Sequence, residues 1–357
     1  MTSPHHVAVV GSGSLAAAIC RSLAVLTPPG AAPLQVTVSA RNAAAVDAIV
    51  RDCRVRAAVA GTTVTFTGQA LGDDLAAPAR LKPDLLVCCA SAHSPYEKAL
   101  QPSAWTHLLG QAGFGVTLPL QAVLAVRLAR AVAAECPETR LVNGCFPDAV
   151  NPLLAALGLP VLCGIGNVAT LAACLQAALG LPDQRRLAVL GHHAQLDASD
   201  GPDGEVLAWR DGVPVPGVTE LLAPYRALPR ADLNALAGHA AARLLTDLLS
   251  GAEFHTSVPG PLGLPGGYPV RISGGALAPD LPGLTLPEAV AWNHHAGRRD
   301  GIEIADGRVR HLPQAAAVLA PHLPEFAQGW DAAAYDEVHD RLRALRRRLR
   351  ATSPAAV

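Results

Sequence analysis

The chain of 357 residues is long enough for two domains of ordinary size that share a cleft. Half of its residues are hydrophobic and only 4% are aromatic, so we expect a compact α/β core of Ala, Val and Leu rather than a disordered chain. The net charge of −1 argues against a nucleic-acid partner held by phosphate contacts, because basic residues are in excess only at the extreme C-terminus.

The eight cysteines lie mostly in apolar runs and lack C-x-x-C spacing, which is typical of small core residues in a reducing compartment. The first predicted strand begins within a few residues of Met1, with no charged and apolar leader before it. No segment offers about 18 uninterrupted apolar residues. The sequence therefore predicts a cytoplasmic protein with no membrane partner.

A predicted strand followed by a glycine turn is the clearest motif. Val7–Val10 are typical of a strand buried on both faces, and the Ala/Leu/Ile run after the turn has helical spacing. The turn reads G-x-G-x-x-A and consists of Gly11, Ser12, Gly13, Ser14, Leu15 and Ala16. Gly11 suits the tight turn, Gly13 lets backbone N–H groups approach a pyrophosphate, and Ala16 lets the helix pack on the strand. We predict that Gly11–Leu15 bind a dinucleotide; a glycine-rich turn without a ligand is the alternative.

The end of the second predicted strand bears on the choice of cofactor. An acidic residue here would bind the adenosine ribose hydroxyls, whereas a small hydroxyl residue followed by Arg leaves room for a 2′-phosphate and offsets its charge. Ser39, Arg41 and Asn42 therefore favour NADP(H) over NAD(H). The alternative is that Arg41 is an ordinary exposed loop residue.

The fourth predicted strand, residues 85–90, ends at the sheet edge where ligands of open parallel sheets bind. Cys89, Ala90 and Ser91 are therefore predicted to contact the cofactor.

The next stretch, residues 95–118, is irregular and contains Tyr96, Trp105 and Phe114. An irregular stretch of this length inside a compact domain favours a functional lid.

The second half continues with strands that end in polar residues. Residues 163–167 predict a strand and a turn before a helix, and the strand Leu187–Leu190 stops at His192-His193. A hairpin is predicted across Asp211-Gly212.

The tail, from about residue 313, is predicted to be helical and to end in an arginine-rich run at positions 343, 346, 347, 348 and 350. Acidic residues one or two turns earlier offset this charge, so we interpret the run as a solvated helix end rather than a binding patch.

Together, the Gly11 turn, the strand that ends at Asn143, the turn at 163–167 and the strand that ends in Gly191-His192-His193 resemble the lactate/malate dehydrogenase superfamily. The order and spacing match over roughly residues 6–305. The resemblance implies an α/β fold with an N-terminal Rossmann domain, meaning a doubly wound parallel sheet, and a C-terminal α+β domain. The implied divisions are a dinucleotide-binding domain at 1–150, a substrate domain at 151–312 and a helical extension at 313–357. It also implies a small-molecule substrate and a homodimer.

In that family the strand-terminal His exchanges a proton with the substrate oxygen while a hydride moves to or from the nicotinamide. The matching residue is His193, with His192 as the alternative. The resemblance gives Asn143 the role of orienting the nicotinamide and the reacting oxygen. Asp148 and Asp197 are the nearest candidates for setting the tautomer of His193, and the sequence does not choose between them.

Two departures from the family pattern concern the substrate. Thr170 and Ala173 stand where family members carry the Asp that orients the His and the Arg that holds the substrate carboxylate, and no arginine lies between Tyr96 and Leu120. Without that guanidinium a small 2-keto acid loses its main anchor. We therefore expect hydride transfer to or from a C=O or C=N group of a metabolite larger than pyruvate or oxaloacetate.

Two other functions stay open at this point. Cys145 or Cys163 with His193 could hold a divalent metal, as a Cys/His pair does in the related NAD- and metal-dependent glycosidases, and the enzyme would then catalyse lysis or hydrolysis without net redox change. The missing Asp and Arg also permit a dinucleotide-binding regulatory protein without chemistry. The sequence favours the NADP(H) oxidoreductase, with no metal.

Overall fold

The computed structural model describes residues 4–27, 32–72, 74–94, 97–197 and 204–352. Its N-terminal part contains six strands, β1 (His5–Val10), β2 (Leu34–Ala40), β3 (Val64–Ala70), β4 (Leu85–Cys88), β5 (Arg140–Asn143) and β6 (Cys163–Gly164). They form one parallel sheet in the order β3-β2-β1-β4-β5-β6. The central strand β1 is buried from Val7 to Val10, as expected of a strand covered by helices on both faces. The Rossmann topology predicted from the sequence is confirmed.

Thirteen α-helices surround this sheet and the rest of the described chain: α1 (Ser14–Leu26), α2 (Ala43–Ala60), α3 (Ala77–Arg80), α4 (Glu97–Leu100), α5 (Ala104–Ala112), α6 (Leu118–Glu135), α7 (Pro147–Ala156), α8 (Val168–Ala178), α9 (Val218–Arg226), α10 (Arg230–Ser250), α11 (Leu286–Ala296), α12 (Pro313–Leu319) and α13 (Tyr335–Arg350).

Three smaller antiparallel sheets follow the parallel one, and their strands are β7 (Leu187–Leu190), β8 (Leu207–Arg210), β9 (Val213–Pro214), β10 (Phe254–Pro259), β11 (Gly267–Ser273), β12 (Ala276–Pro279), β13 (Ile302–Ala305), β14 (Arg308–His311) and β15 (Gly329–Asp331). Each sheet joins three of these strands in chain order. Asp211 and Gly212 have positive φ and connect β8 to β9, so the predicted hairpin is confirmed. The α+β character predicted for the second half is therefore also confirmed.

Helix α10 crosses α1 at very close range and joins the two halves of the molecule. A Cβ on Gly238 would lie 2.4 Å from the Cβ of Ala18, so the absence of a side chain permits the contact. This packing holds α1, and therefore the glycine turn before it, against the second half of the chain.

The division of the chain into domains at residues 150 and 312 stays a prediction.

Residues 97–117 are largely helical, which differs from the irregular lid predicted for 95–118. Ser103 caps α5 in a capping box with Thr106, a sequence signal that the interpretation as a loop missed. Trp105 is fully buried in a cluster with side chains of α6, α12 and α13. Tyr96, which was predicted to be part of the lid, lies outside the described residues.

The C-terminal helix α13 packs along α6 rather than extending into solvent. Its apolar side chains Leu342, Leu345 and Leu349 are buried, and the hydroxyl of Tyr335 donates to the carbonyl oxygen of Pro119 at 3.1 Å. In its last two turns, Arg346 donates to the carbonyl oxygen of Ala92, so this end of the helix lies beside the sheet edge at which β4 ends.

One stretch in the described ranges, Phe114–Glu135, is long and apolar enough to cross a membrane by composition alone. Within the folded protein, 78% of its most apolar window is buried, as in the core helix of a globular domain.

Candidate active site

The turn after β1 forms the floor of a cleft at the carboxyl edge of the parallel sheet. Gly11 has a φ of +137°, and a Cβ there would lie 2.7 Å from the carbonyl oxygen of Cys89, so this position requires glycine. A Cβ on Gly13 would meet no atom within 4 Å, so the turn is open on that side. Helix α1 begins at Ser14 without a side-chain cap, which leaves its first N–H groups available to an anion.

Four of the five residues predicted for this turn, Gly11–Ser14, line the cleft. Leu15 packs instead against the hydrophobic core that β1 and α1 share. The hydroxyl of Ser14 accepts a hydrogen bond from Asn234 of α10 at 3.1 Å, so the second half of the chain contacts the turn directly.

The three residues predicted at the end of β2 also line the cleft, but only one has a free side chain. Ser39 is buried and its hydroxyl donates to Gln69 at 3.1 Å. The side chain of Asn42 accepts from the backbone N–H of Ala45 at 3.1 Å and caps α2. Arg41 is exposed and makes no hydrogen bond or ion pair with any residue that the structure describes. Its guanidinium can therefore bind a ligand.

The end of β4 forms the opposite wall. Cys89, Ala90 and Ser91 line it as predicted, and the cleft encloses about 750 Å³. Apolar side chains also line it, from Leu71, Leu75 and Leu124. A small-molecule site commonly has about 300–1,000 Å³ and a mostly apolar lining with a few polar groups, so the cleft fits a nucleotide-sized ligand.

Helix α13 closes one side of this cleft through Arg346 and Arg350, which differs from the interpretation of the run as a solvated end; the other three arginines, at positions 343, 347 and 348, are exposed as that interpretation expects. Arg346 donates to the carbonyl oxygen of Ala92 at 2.8 Å and to the Glu97 carboxylate at 2.6 Å, and Arg350 lies 2.9 Å from the same carboxylate. Glu97 is buried. Burial lowers the pKa of the neighbouring His93 to about 4, so this imidazole is neutral near pH 7.

A second cluster of polar side chains lies outside the cleft, where β7 ends. His193 begins a 3₁₀ turn after the strand, and its Nε2 is 2.7 Å from a carboxylate oxygen of Asp300. Asp300 ends another 3₁₀ turn that packs so closely on the α5–α6 connection that a Cβ on Gly113 would lie 2.5 Å from its carbonyl oxygen. The side chains of His193 and Asp300 are 21% and 8% exposed, so the pair is largely shielded from water but not sealed.

Charge and burial act in opposite directions on this pair. Burial alone lowers the pKa of His193, but the Asp300 charge and hydrogen bond, with smaller contributions from Asp148 and Asp197, raise it to about 9. Burial raises the pKa of Asp300, but the charge and hydrogen bond of His193 bring it below its ordinary value. Near pH 7 the pair is therefore an imidazolium and a carboxylate. Burial and the His193 charge lower the pKa of His192, which stays neutral.

The ring partner of His193 is thus neither of the two carboxylates that the sequence suggested. Asp148 accepts a hydrogen bond from the backbone N–H of His193 at 3.1 Å and another from the Asn167 side chain, so it positions the main chain of His193. Asp197 contributes only through its charge. Asp300 lies 107 residues after His193, and no local sequence signal could have identified it.

Asn143, the last residue of β5, is fully buried. Its amide donates to the carbonyl oxygen of Cys145 at 3.0 Å and to Asn151 at 2.9 Å, and its oxygen accepts from the N–H of Cys145. Both amide hydrogens are therefore used to hold the loop after β5. The role of Asn143 toward the nicotinamide stays a prediction.

Aromatic rings cover the pair. The ring of Phe146 stands edge-on to His193 with centroids 5.1 Å apart, and Phe114 lies 5.1 Å from Phe146 and 6.4 Å from His193. Phe146 has a φ of +45°, a left-handed conformation that is uncommon for an aromatic residue. Phe114 also lies 6.0 Å from His93, which lines the cleft, so a row of rings connects the cleft to His193.

The described residues contain one group of side chains that could share a metal ion. His192, His193 and Asp300 each offer a ligand atom, all within 4.8 Å of one another. Neither Cys145 nor Cys163 belongs to this group, and burial raises the pKa of the Cys163 thiol to about 12. The Cys/His metal pair considered from the sequence is therefore not formed as a three-ligand site.

No family model matches the chain, and no curated protein matches it in sequence. Solved structures do share its fold. The crystal structure of Cryptosporidium parvum malate dehydrogenase is 14% identical, with a TM-score of 0.51 over 84% of this chain and 97% of that one. Malate dehydrogenase from Picrophilus torridus is 13% identical, with a TM-score of 0.56 over 84% and 95%. Malate dehydrogenase from Salinibacter ruber is 13% identical, with a TM-score of 0.53 over 96% and 99%. The fold resemblance seen in the sequence is confirmed.

Proposed function

We propose, starting from the fold that this chain shares with malate dehydrogenases, that it is an NADP(H)-dependent oxidoreductase. It acts on a C=O or C=N group of a metabolite larger than pyruvate or oxaloacetate. The observation that carries the proposal is the ion pair of His193 and Asp300 at the end of β7, because a buried imidazolium held by a carboxylate is suited to proton donation.

The residues of the cleft fit a dinucleotide. The open side of Gly13 and the uncapped start of α1 suit a pyrophosphate, and the free guanidinium of Arg41 suits a 2′-phosphate. When bound, the nicotinamide donates or accepts a hydride.

His193 supplies the matching proton. Its Nε2 is bonded to Asp300, so Nδ1, which has no hydrogen-bond partner among the described residues, is the nitrogen that can give a proton to the substrate oxygen or nitrogen. Asp300 stabilises the imidazolium and holds the ring, while Phe146 and Phe114 limit the access of water. Asp148 fixes the backbone of His193 and does not touch its ring.

Replacing Arg41 by Ala tests the choice of cofactor. We expect NADPH affinity to fall about ten- to a hundredfold, because a charge-assisted hydrogen bond to phosphate contributes about 1.5–3 kcal/mol, while NADH affinity changes little. Calorimetric titration of both cofactors measures the effect. Arg51→Ala, which removes another exposed arginine, from the α2 surface outside the cleft, is the control. Equal wild-type affinity for NADPH and NADH would contradict the assignment.

Pyruvate and oxaloacetate should be poor substrates. Thr170 is buried, and Ala173 lines a separate groove between α8 and α10 that contains neither His193 nor Asp300, so neither residue can hold a keto-acid carboxylate beside the proton donor. NADPH oxidation assays with each keto acid measure this. A turnover near the usual enzyme value of about 10 per second would refute the substrate class.

The homodimer and the cytoplasmic location stay predictions.

A further inference from the structure

Two arginines of α13 reach the cleft from a part of the chain that lies beyond the region of sequence resemblance. Arg346 and Arg350 are one helical turn apart on the same face and line the same cavity as the Gly11–Ser14 turn. They contact Ala92, Glu97 and, through Arg350, Gln101, all in the segment that follows β4.

The charges of the cleft do not cancel. Its described lining holds three guanidiniums, from Arg41, Arg346 and Arg350, and a single carboxylate, Glu97. His93 is neutral near pH 7 because burial lowers its pKa to about 4. A partly enclosed cavity with this excess of positive charge favours a ligand with at least two negative charges.

Both guanidiniums keep donors for such a ligand. Each has five N–H groups. Arg346 uses Nη1 for the Ala92 carbonyl and Nη2 for Glu97, and its buried Nε has no hydrogen-bond partner among the described residues. An unpartnered buried donor is uncommon in folded proteins, because its lost hydration is not replaced. Arg350 is 39% exposed and therefore accessible.

The cleft also continues past these residues. A second cavity of about 810 Å³ shares Gln101, Arg346 and Arg350 with it and is further lined by Arg343 and Arg347. Arg346 and Arg350 therefore lie between the cofactor cleft and the second cavity and line both.

We propose that Arg346 and Arg350 bind the pyrophosphate of the dinucleotide and thereby make α13 part of the cofactor site. The sheet order separates this contact from that of Arg41. Strand β1, with the glycine turn, lies between β2, which is followed directly by Arg41, and β4, which leads to Ala92 and Glu97. Arg41 is therefore on the adenosine 2′ side and the α13 pair on the other side of the turn. The inference rests on the proposed dinucleotide function.

The test is calorimetric titration of the full chain with NADPH, NADH and inorganic pyrophosphate. Arg350→Gln should weaken binding of all three about tenfold, because it removes a charge-assisted contact to a group that all three share. Arg348→Gln is the matched control: it removes the same charge from the same helix at an exposed position that lines neither cavity. Arg350→Lys should recover part of the affinity, since it keeps the charge but not the planar fork.

The outcomes separate this inference from the proposed function. If the wild type binds NADPH and Arg350→Gln binds it equally well, the α13 site is refuted and the dinucleotide function stands. If the wild type binds pyrophosphate but neither dinucleotide, and Arg350→Gln loses that binding, the anion site stands and the dinucleotide function fails. Equal losses in Arg350→Gln and Arg348→Gln would indicate a general charge effect and refute the site.

Discussion

Replacing His193 by Asn is expected to lower turnover by about two to four orders of magnitude, the usual contribution of a positioned proton donor. Cofactor affinity should stay nearly unchanged, because His193 does not line the dinucleotide cleft. Asn approximates the size of the ring and can still bond Asp300, so the loss reports chemistry rather than packing. Single-turnover NADPH oxidation and NADPH titration measure the two quantities.

His192→Asn is the paired control, since it changes the same residue type one position earlier. His192 is buried and neutral, and its Nδ1 accepts a hydrogen bond from the N–H of Ala194 at 3.3 Å, so it holds the turn. Its replacement should affect stability more than turnover. An unchanged single-turnover rate in the His193 variant would remove the mechanism and favour a regulatory protein that binds a dinucleotide without chemistry.

Replacing Asp300 by Asn is expected to move the pH dependence of the reductive reaction. In the wild type His193 has a pKa of about 9, so it is protonated below that pH and the rate falls as pH rises through about 9. Without the Asp300 charge and hydrogen bond, burial is the largest remaining influence and lowers the pKa of His193. A return to the ordinary imidazole value of about 6.5 reduces the protonated fraction at pH 8 about thirtyfold, and the rate should drop with it.

Activity at acidic pH distinguishes this effect from simple disruption. The protonated fraction of His193 in the variant recovers as pH falls, so the ratio of the two rates should be closer to one at pH 5.5 than at pH 8. Asp306→Asn is the control. It removes an exposed carboxylate six residues after Asp300 and should leave the pH profile of the rate unchanged. A variant with a lower rate but an unshifted profile would show that Asp300 acts only through packing.

The same pair couples stability to pH in two windows. Folding raises the pKa of His193. Its contribution to the free energy of unfolding is therefore fully present below the pKa of about 6.5 that it has in the unfolded chain, and is lost as pH rises through about 9. Folding lowers the pKa of Asp300, so the contribution of Asp300 is present above the unfolded pKa of about 3.9 and is lost as pH falls through the folded pKa. Asp300→Asn should flatten both arms in thermal unfolding across pH.

Local pattern was sufficient for much of the fold and part of the site. The buried run Val7–Val10, the glycine turn and the helix after it define a strand–turn–helix unit through residues that are neighbours in sequence. The strand before His192-His193 and the hairpin at Asp211-Gly212 were also recognisable from neighbouring residues in the sequence. Such features depend on backbone conformation and on side-chain periodicity over a few residues, which the sequence displays directly.

The partners of these residues depended on the tertiary structure. Asp300 lies 107 residues after His193, and Arg346 lies 254 residues after Ala92. The sequence instead suggested Asp148 and Asp197, which are near in the chain. An ion pair requires only that two charges lie within about 4 Å in space, and chain folding, not sequence separation, sets that distance.

The sequence by itself therefore determined most of the elements, though not the helices between residues 97 and 117, together with the glycine turn and the identity of the candidate proton donor. The tertiary structure decided which carboxylate sets the charge of His193 and that α13 forms a wall of the cleft. The arginines of α13 have the pattern of a solvated helix end, and only the packing of Leu342, Leu345 and Leu349 against the core turns Arg346 toward Glu97. Burial of those leucines, rather than any property of the arginines, places the charges where a ligand can meet them.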